Sequence, residues 1–385
     1  MDSGPQFGLT IRAMFLALKE MRRAKVRFGL LAGAVGLLVF LILFQQALLS
    51  GLINQFIGAL KNQSGEVLVY NGQARKNLEG SIILPEQQAA IAEVDGVAVA
   101  SPLGEATFTV VAGGEETDAV IFGYELGKPG EPTTLIEGRM PEADDEAVAS
   151  EKDRDAGFDI GDVVQVQPDG VSITVVGIAS DLNYSVAPVL FVDFATYEAA
   201  KLTRNPDASA ILPSAIAIKV ADGQSAGDVA DRINAEVAGV EALTRQQAVD
   251  GSPGVSSVRT SFAIILGLFY LVVPLVTGLF FLIVTFQKAS ALTLLRAIGA
   301  PTRTLVVSLL VQVVLVMAVG SLIAFGLYAG AIQGVQNLGV HVEVMPAVIT
   351  SLVVLALALL TSLVAVRRML KLDPLAATTG AGVAL

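Results

Sequence analysis

The sequence predicts an α-helical membrane protein with four transmembrane helices and an α+β extracytoplasmic domain between the first and the second. Three observations carry that prediction. Four runs, residues 28–49, 262–286, 305–331 and 347–366, are long and apolar enough to cross a bilayer. Residues 61–258, between the first two runs, are too many for a loop and have strand and helix patterning of their own. The 385 residues are 53% hydrophobic with a mean hydropathy of +0.66, yet the net charge is −11, a combination foreign to a single soluble domain.

Taken in order, residues 1–25 form a basic N-terminal helix. Within residues 7–23, Leu9, Met14, Leu18 and Met21 fall near one helical face while Lys19, Arg22 and Arg23 fall elsewhere, the pattern of a helix lying on an anionic inner leaflet. A frayed basic tail is the alternative. Residues 26–60 hold the first span and its outer extension. The apolar run is too long for a signal-peptide core and no small-residue cleavage site follows it, so it reads as an uncleaved anchor. Gln45 and Gln46 near its outer end, with Asn54 and Gln55 beyond, are costly in lipid and are expected to face a partner helix or a wet cavity. Gly29, Gly33 and Gly36 permit close helix contact in the same span.

Residues 61–258 read alike at their two ends. A strand at 67–70, a helix at 85–94 and a strand at 97–101 are echoed by a strand at 215–220, a helix at 225–237 and a strand at 240–243. Two such β-α-β units predict a small split α/β sandwich. Between them, from about 104 to 213, β-rich runs at 107–111, 119–124, 163–166, 172–178 and 189–192 alternate with turn residues, which predicts a β-dominated insertion.

Residues 259–286 form the second span, with Tyr270 four residues before Pro274 and Thr277 just after it. Proline frees the carbonyl of Tyr270, and a phenol at that depth wants a partner; an interfacial anchor and a substrate-lining residue both fit. Residues 287–304 turn abruptly polar and basic but keep Ala291, Leu294, Leu295 and Ile298 on one helical face, before Gly299 and Pro301 stop the helix. The third span, 305–331, carries Gln312 and Tyr328. An outer loop at 332–346 holds His341, the fourth span is 347–366, and a tail at 367–385 begins with Arg367 and Arg368.

Charge orients these pieces. Residues 61–258 contain 12 Lys and Arg against 32 Asp and Glu, whereas the N-terminal stretch, the 287–303 loop and the tail are rich in cations. By the positive-inside rule both termini and the 287–303 loop are cytoplasmic, in a cell (plasma or inner) membrane, and residues 61–258 lie outside.

Composition excludes much chemistry. There is no cysteine and one histidine, so disulfides, thiol catalysis and multi-histidine metal clusters within one chain are excluded. No P-loop occurs: the stretch from Gly123 to Pro129 lacks both the spacing and the hydroxyl. The acidic run from Asp153 to Asp162 has a calcium-loop flavour, but Gly157 replaces a ligand and Phe158 the turn glycine, so it reads as a solvated turn. No intrinsic cofactor, metal site, catalytic constellation or nucleic-acid surface is expected. Tyr184 sits in a loop, where packing is the usual role and contact with an amphipathic ligand or ligation of iron the alternative.

The arrangement of an amphipathic N-terminus, one span, a large outer domain and three more spans resembles the MacB/FtsX-like permeases of ABC transporters, the type VII class. Three local stretches strengthen the likeness. Residues 285–300 (TFQKASALTLLRAIGA) are similar to that family's segment after span two. Residues 372–377 (LDPLAA) are similar to its closing motif, and residues 138–148 with Gly161-Asp-Val-Val resemble a recurrent stretch of its outer domain. Within the family the chain looks nearest to the haem-exporter branch and to actinobacterial permeases.

The resemblance implies a permease subunit, not an enzyme, that pairs with a second copy of itself and binds a separate ATPase, which carries ATP and magnesium. On that reading Lys288, Leu292, Leu295, Arg296, Ile298 and Gly299, with Arg303 and Asp373 nearby, form the ATPase-coupling helix and its surroundings, Leu295 and Ile298 being the buried anchors. Efflux of a hydrophobic or amphipathic substrate, haem among the possibilities, would pass Gln45, Gln46, Tyr184, Tyr270, Pro274 and Thr277. The alternative is a non-transporting, FtsX-like mechanotransmission protein that regulates an extracellular partner such as a cell-wall hydrolase.

Overall fold

A computed structural model describes residues 18–287, 302–334 and 344–370. Most of the predicted N-terminal helix, the heart of the 287–304 segment, His341 and the tail beyond 370 lie outside the described residues. The chain divides into two compact units. One holds the described residues up to Leu48 and from Ser261 onward; the other runs from Leu49 to Thr260.

The first unit is helical. Its helices are α1 (Lys25–Lys61), α6 (Val255–Gln287), α7 (Thr302–Gln333) and α8 (Val344–Leu370), of which α1 and α6 run on into the second unit. Each is long and apolar enough to span a bilayer. One continuous core of Phe28, Val35, Val39, Ile42, Val273, Phe281, Val313, Val316, Val354 and their neighbours joins all four. Of the three glycines expected to allow close approach, only Gly36 meets another helix. A Cβ there would stand 2.9 Å from the Gly320 carbonyl oxygen, and one at Gly320 would stand 3.0 Å from Val35 Cγ1, so α1 and α7 touch backbone to backbone. Gly29 and Gly33 have nothing within 4 Å of that position.

The second unit is built on ten strands: β1 (Val67–Asn71), β2 (Val97–Ala112), β3 (Glu115–Tyr124), β4 (Leu135–Gly138), β5 (Glu146–Ser150), β6 (Val163–Val166), β7 (Ser172–Ala179), β8 (Val189–Asp193), β9 (Ala215–Val220) and β10 (Val240–Thr244). Four helices join them: α2 (Pro85–Ala92), α3 (Phe194–Arg204), α4 (Ala226–Glu236) and α5 (Arg245–Gly251). The order β10-β1-β9-β2 makes a sheet covered on one face by α2 and α4, through Val67, Val69, Ile91, Ile216, Ile218, Val229 and Ile233. This is the sandwich that the two β-α-β echoes predict.

The insertion is more closed than a set of β runs implies. β2 pairs β3, β3 pairs β8, β8 pairs β5, β5 pairs β7, β7 pairs β6, and β6 returns to β2, a ring of six strands. Alternate residues of each strand (Phe108, Val110, Ile121, Ala147, Val164, Ile173, Val192) fill the interior of this small barrel. Tyr197 of α3 plugs one end. A Cβ at Gly104 or at Gly123 would stand 2.3 Å from the Tyr197 side chain, so glycine is what lets β2 and β3 accept the ring. The boundary expected near residue 104 therefore falls inside one 16-residue strand: β2 runs from Val97 to Ala112 and belongs to sandwich and barrel alike.

Candidate functional site

Among the described residues, the most elaborate contact between a spanning helix and the sheet is a joint. It forms where the last turns of α1 meet the sheet. Leu68, Tyr70, Leu103, Val120, Phe122, Tyr124, Val148 and Phe191 present one apolar face from sandwich and barrel together. Ile53, Ile57 and Leu60 of α1, Ala248 and Val249 of α5, and Val255 of α6 pack onto it. Burial of each such side chain stabilises by roughly 1.5–3 kcal/mol, so both helices entering the domain are anchored in its core.

Backbone contacts make the anchor directional. α1 breaks at Ile57, whose φ of −144° and ψ of 20° are not helical. The break exposes carbonyls, and the loop before β8 takes them: Val186 N–H donates to Gln55 O at 3.0 Å and Ser185 N–H to Phe56 O at 3.0 Å. In return Ala59 N–H donates to Asn183 O at 3.1 Å, Asn62 Nδ2 to Asp181 O at 2.8 Å, and Ile57 pairs with Tyr184 as an isolated antiparallel bridge. A Cβ on Gly58 would stand 2.4 Å from the Asp181 carbonyl oxygen, so only glycine fits.

The loop pays in strain for this fit. Asp181, Ser185 and Val186 have φ of +53°, +51° and +63°, and the left-handed region costs a β-branched residue such as Val186 on the order of 1–2 kcal/mol. The strain is held in place by a polar base. Asn183 Nδ2 donates to Asp153 Oδ2 at 2.9 Å, Ser150 Oγ lies 3.3 Å from Asn183 Oδ1, and Lys152 Nζ lies 3.7 Å from Asp181. Burial lowers the Lys152 pKa and raises that of Asp153. Here the run from Asp153 to Asp162 acquires its role: Phe158, the residue out of place for a calcium loop, is wholly buried in the barrel.

A second tie closes the joint. Arg245, the first residue of α5, donates from Nη1 to Gln63 O at 2.7 Å, and its N–H reaches Glu66 O at 2.9 Å. Glu66 in turn accepts from Val220 N–H at 2.8 Å. The end of α1, the start of α5 and strand β9 thus share one small network.

The sequence-predicted site residues fall into three groups. Tyr184 is in the joint, its ring edge-on to Phe122 at 5.3 Å between centroids. Burial pushes its phenol well above the ordinary value, with the Glu105 carboxylate adding to the effect. Tyr184 packs against the apolar core of the joint. Gln45 and Gln46 find partners inside the helical unit: Gln45 Nε2 donates to Phe262 O at 2.8 Å, and Gln46 Oε1 accepts from Thr350 Oγ1 at 3.0 Å. Pro274 and Thr277 are buried in the same bundle. The Thr277 hydroxyl donates to the Val273 carbonyl at 2.8 Å, and Thr361 Oγ1 lies 3.1 Å from the Pro274 carbonyl. Tyr270 is half-buried against that core.

Lys288, Leu292, Leu295, Arg296, Ile298, Gly299 and Asp373 lie outside the described residues, and Arg303 falls in the first turn of α7. Two further contacts escaped the sequence reading. Gln312, buried in α7, donates to Glu20 at 2.7 Å, and Arg27 Nη1 donates to Gln287 at the last turn of α6. Both join the basic N-terminal region to other spans; a lone Glu20 among cations, and a glutamine in an apolar span, are the only sequence signals for the first.

Comparison with known proteins agrees with this anatomy. The family model described as MacB-like periplasmic core domain matches residues 29–236, and the one described as FtsX-like permease C-terminal matches residues 263–374. A putative hemin transport system permease protein, HrtB, of Staphylococcus epidermidis is 24% identical over 368 residues, 95% of this chain and 99% of its own length. An uncharacterised ABC transporter permease of Mycobacterium tuberculosis is 25% identical over 370 residues, with the same coverage of each chain. The crystal structure of the periplasmic region of MacB from Actinobacillus actinomycetemcomitans is similar at a TM-score of 0.36 and 13% identity, covering 51% of this chain and 97% of that one. The first family model alone takes in more than half of the chain, and the second takes up the remaining spans: this chain belongs to the MacB/FtsX-like family of ABC transporter permeases.

Proposed function

We propose that the protein is the permease half of a dimeric ABC exporter, converting ATP binding and hydrolysis on a separate ATPase subunit into movement of its extracytoplasmic domain and outward passage of a hydrophobic or amphipathic molecule. The observation that carries this reading is the joint. A helix that crosses the membrane has its far end broken, capped by backbone hydrogen bonds and buried in the domain's core, so a displacement of the helix is delivered to the sheet and not lost in a flexible linker.

The remaining parts follow from the family and the charge pattern. Both termini and residues 287–304 face the cytoplasm, where Leu295 and Ile298 enter a groove of the ATPase, with Lys288, Leu292, Arg296, Gly299, Arg303 and Asp373 around them. Haem is the substrate to try first, since a similar permease is named for hemin transport. With Tyr184 committed to packing, Tyr270 is the phenol left to meet it.

The mechanical regulator is favoured by the same stiffness, because a strained, fully bonded joint serves a pulled domain as well as a passing substrate. Reconstitution separates the two. Proteoliposomes holding the permease and its ATPase are expected to expel haem in an ATP-dependent way, with Tyr270→Ala slowing export. ATP-driven domain movement with no haem export and no haem binding rejects the haem reading in favour of the regulator. Leu295→Asp is expected to abolish co-purification of the ATPase while membrane insertion stays normal; undiminished co-purification removes that helix from the interface.

A further inference from the structure

Along one edge of β2 the extracytoplasmic domain leaves an open, polar cleft of about 930 Å³. Its origin is topological. β9 pairs β2 only as far as Leu103 and β6 takes the strand up again at Val110, so residues 104–109 have a strand neighbour on the β3 side alone. The carbonyls on the bare edge are already used. Glu105 O accepts from the Tyr197 hydroxyl at 3.2 Å and Ser214 Oγ at 3.3 Å, Thr107 O from Arg204 Nη1 at 2.7 Å, and Thr109 O from Gln167 N–H at 2.9 Å. A peptide strand adding to this edge would have to displace all of them, which leaves the cleft to a small molecule.

The walls choose its charge. Glu79, Glu105, Glu116 and Asp118 line the cleft, against Lys201 and Arg204. Arg204 is committed to the Thr107 carbonyl and stands 5.8 Å from the Phe108 ring centroid; the Lys201 ammonium stands 5.8 Å from that of Tyr197. Glu105 is the anomaly. It is only 4% exposed, and its Oε2 has no hydrogen-bond partner. A buried carboxylate oxygen left unpaired is costly and calls for a donor from outside the fold. Among the described residues no three acidic, histidine or cysteine side chains are grouped as a metal site would need.

We infer that this cleft binds a small organic cation, a molecule bearing a primary ammonium or guanidinium group, with the Glu105 carboxylate as its counter-ion. Glu79, Glu116 and Asp118 supply the surrounding negative field, and the size suits a ligand of a few hundred cubic ångströms. The charged groups around Glu105 set the pH response. Burial pushes its carboxyl up to about 7, Glu79 from the loop before α2 pushes the same way, and Lys201 from α3 pulls it down. The cation-binding, ionised form is therefore scarce below pH 7 and dominant above it, so affinity rises as pH rises through 7.

The test is calorimetric titration of spermidine into the full chain held in nanodiscs of neutral phosphatidylcholine, without the ATPase. Saturable binding about tenfold tighter at pH 8 than at pH 6 is expected. Glu105→Gln is expected to weaken binding at pH 8 about tenfold and to flatten the pH profile, with its thermal transition showing that the domain stays folded. The exposed Glu79→Gln substitution is expected to move the midpoint of the profile below 7. No saturable binding at pH 8, a Glu105→Gln affinity equal to the parent's, or an unmoved midpoint in Glu79→Gln overturns the inference. It rests on the extracytoplasmic domain alone, so its failure leaves the exporter reading untouched.

Discussion

The two ends of α1 are held by different physics. Through the helical unit it is held by packing and side-chain amides: the close approach at Gly36 and Gly320, Gln45 and Gln46, and apolar contacts, with no backbone-to-backbone hydrogen bond to another helix among those described. Inside the extracytoplasmic domain it is held by its own backbone, broken at Ile57 and bonded to a loop with three left-handed residues. Side-chain contacts among membrane helices are individually weak and can slide or exchange, with hydrogen bonds there averaging about 0.6 kcal/mol. Backbone bonds buried beside strained residues have one geometry. The difference teaches where the proposed movement would act: on the proposed function α1 shifts among its neighbours at one end and carries the domain with it at the other.

That contrast is open to breakage. The largest effect is expected from Gly58→Val, which drives a side chain into the Asp181 carbonyl; ATP-driven domain movement should fall more than tenfold while ATP hydrolysis by the complex persists. Next comes Leu60→Ala, which empties a fully buried site between α1 and the sheet. It should cost about 2–5 kcal/mol in the unfolding of the domain, read by denaturant titration, against a far smaller cost for Leu30→Ala on an exposed face of the same helix. The smallest effect is expected from Gln46→Leu, which removes the bond to Thr350 in the helical unit. It should change thermal stability in detergent by about 0.6 kcal/mol and leave coupling intact. Equal losses of coupling from Gly58→Val and Gln46→Leu would erase the distinction between the two ends.

Much of this architecture was legible in the residues. Uninterrupted apolar runs announce four spans because lipid tolerates little else, and the echoed β-α-β patterns announce the sandwich through their periods. The barrel was legible only as strands. Its closure depends on β6 touching both β2 and β7, a long-range pairing that no local pattern encodes. The boundary near residue 104 was misplaced for a related reason: Gly104 lies within β2 and admits the Tyr197 ring from a helix more than 90 residues later. The joint was hidden almost entirely. Ile57 looks like any helical isoleucine, and nothing in Asp181-Leu-Asn-Tyr-Ser-Val states that Ser185 and Val186 turn left-handed; only the capped end of α1 explains them. Glu105 was equally silent, one acid among 32 in the region, singled out only by its burial.

The central claim is that α1 delivers movement to the extracytoplasmic domain through the joint at Ile57 and Gly58. The direct measurement is a spin-label distance between the two domains of a dimer, labelled at an exposed barrel position such as Glu115 changed to cysteine, in nanodiscs with the partner ATPase. ATP trapping with vanadate is expected to shift that distance in the parent protein and to leave it unshifted in Gly58→Val, with vanadate trapping equal in both. A shift of the same size in Gly58→Val, or none in the parent, would contradict the account.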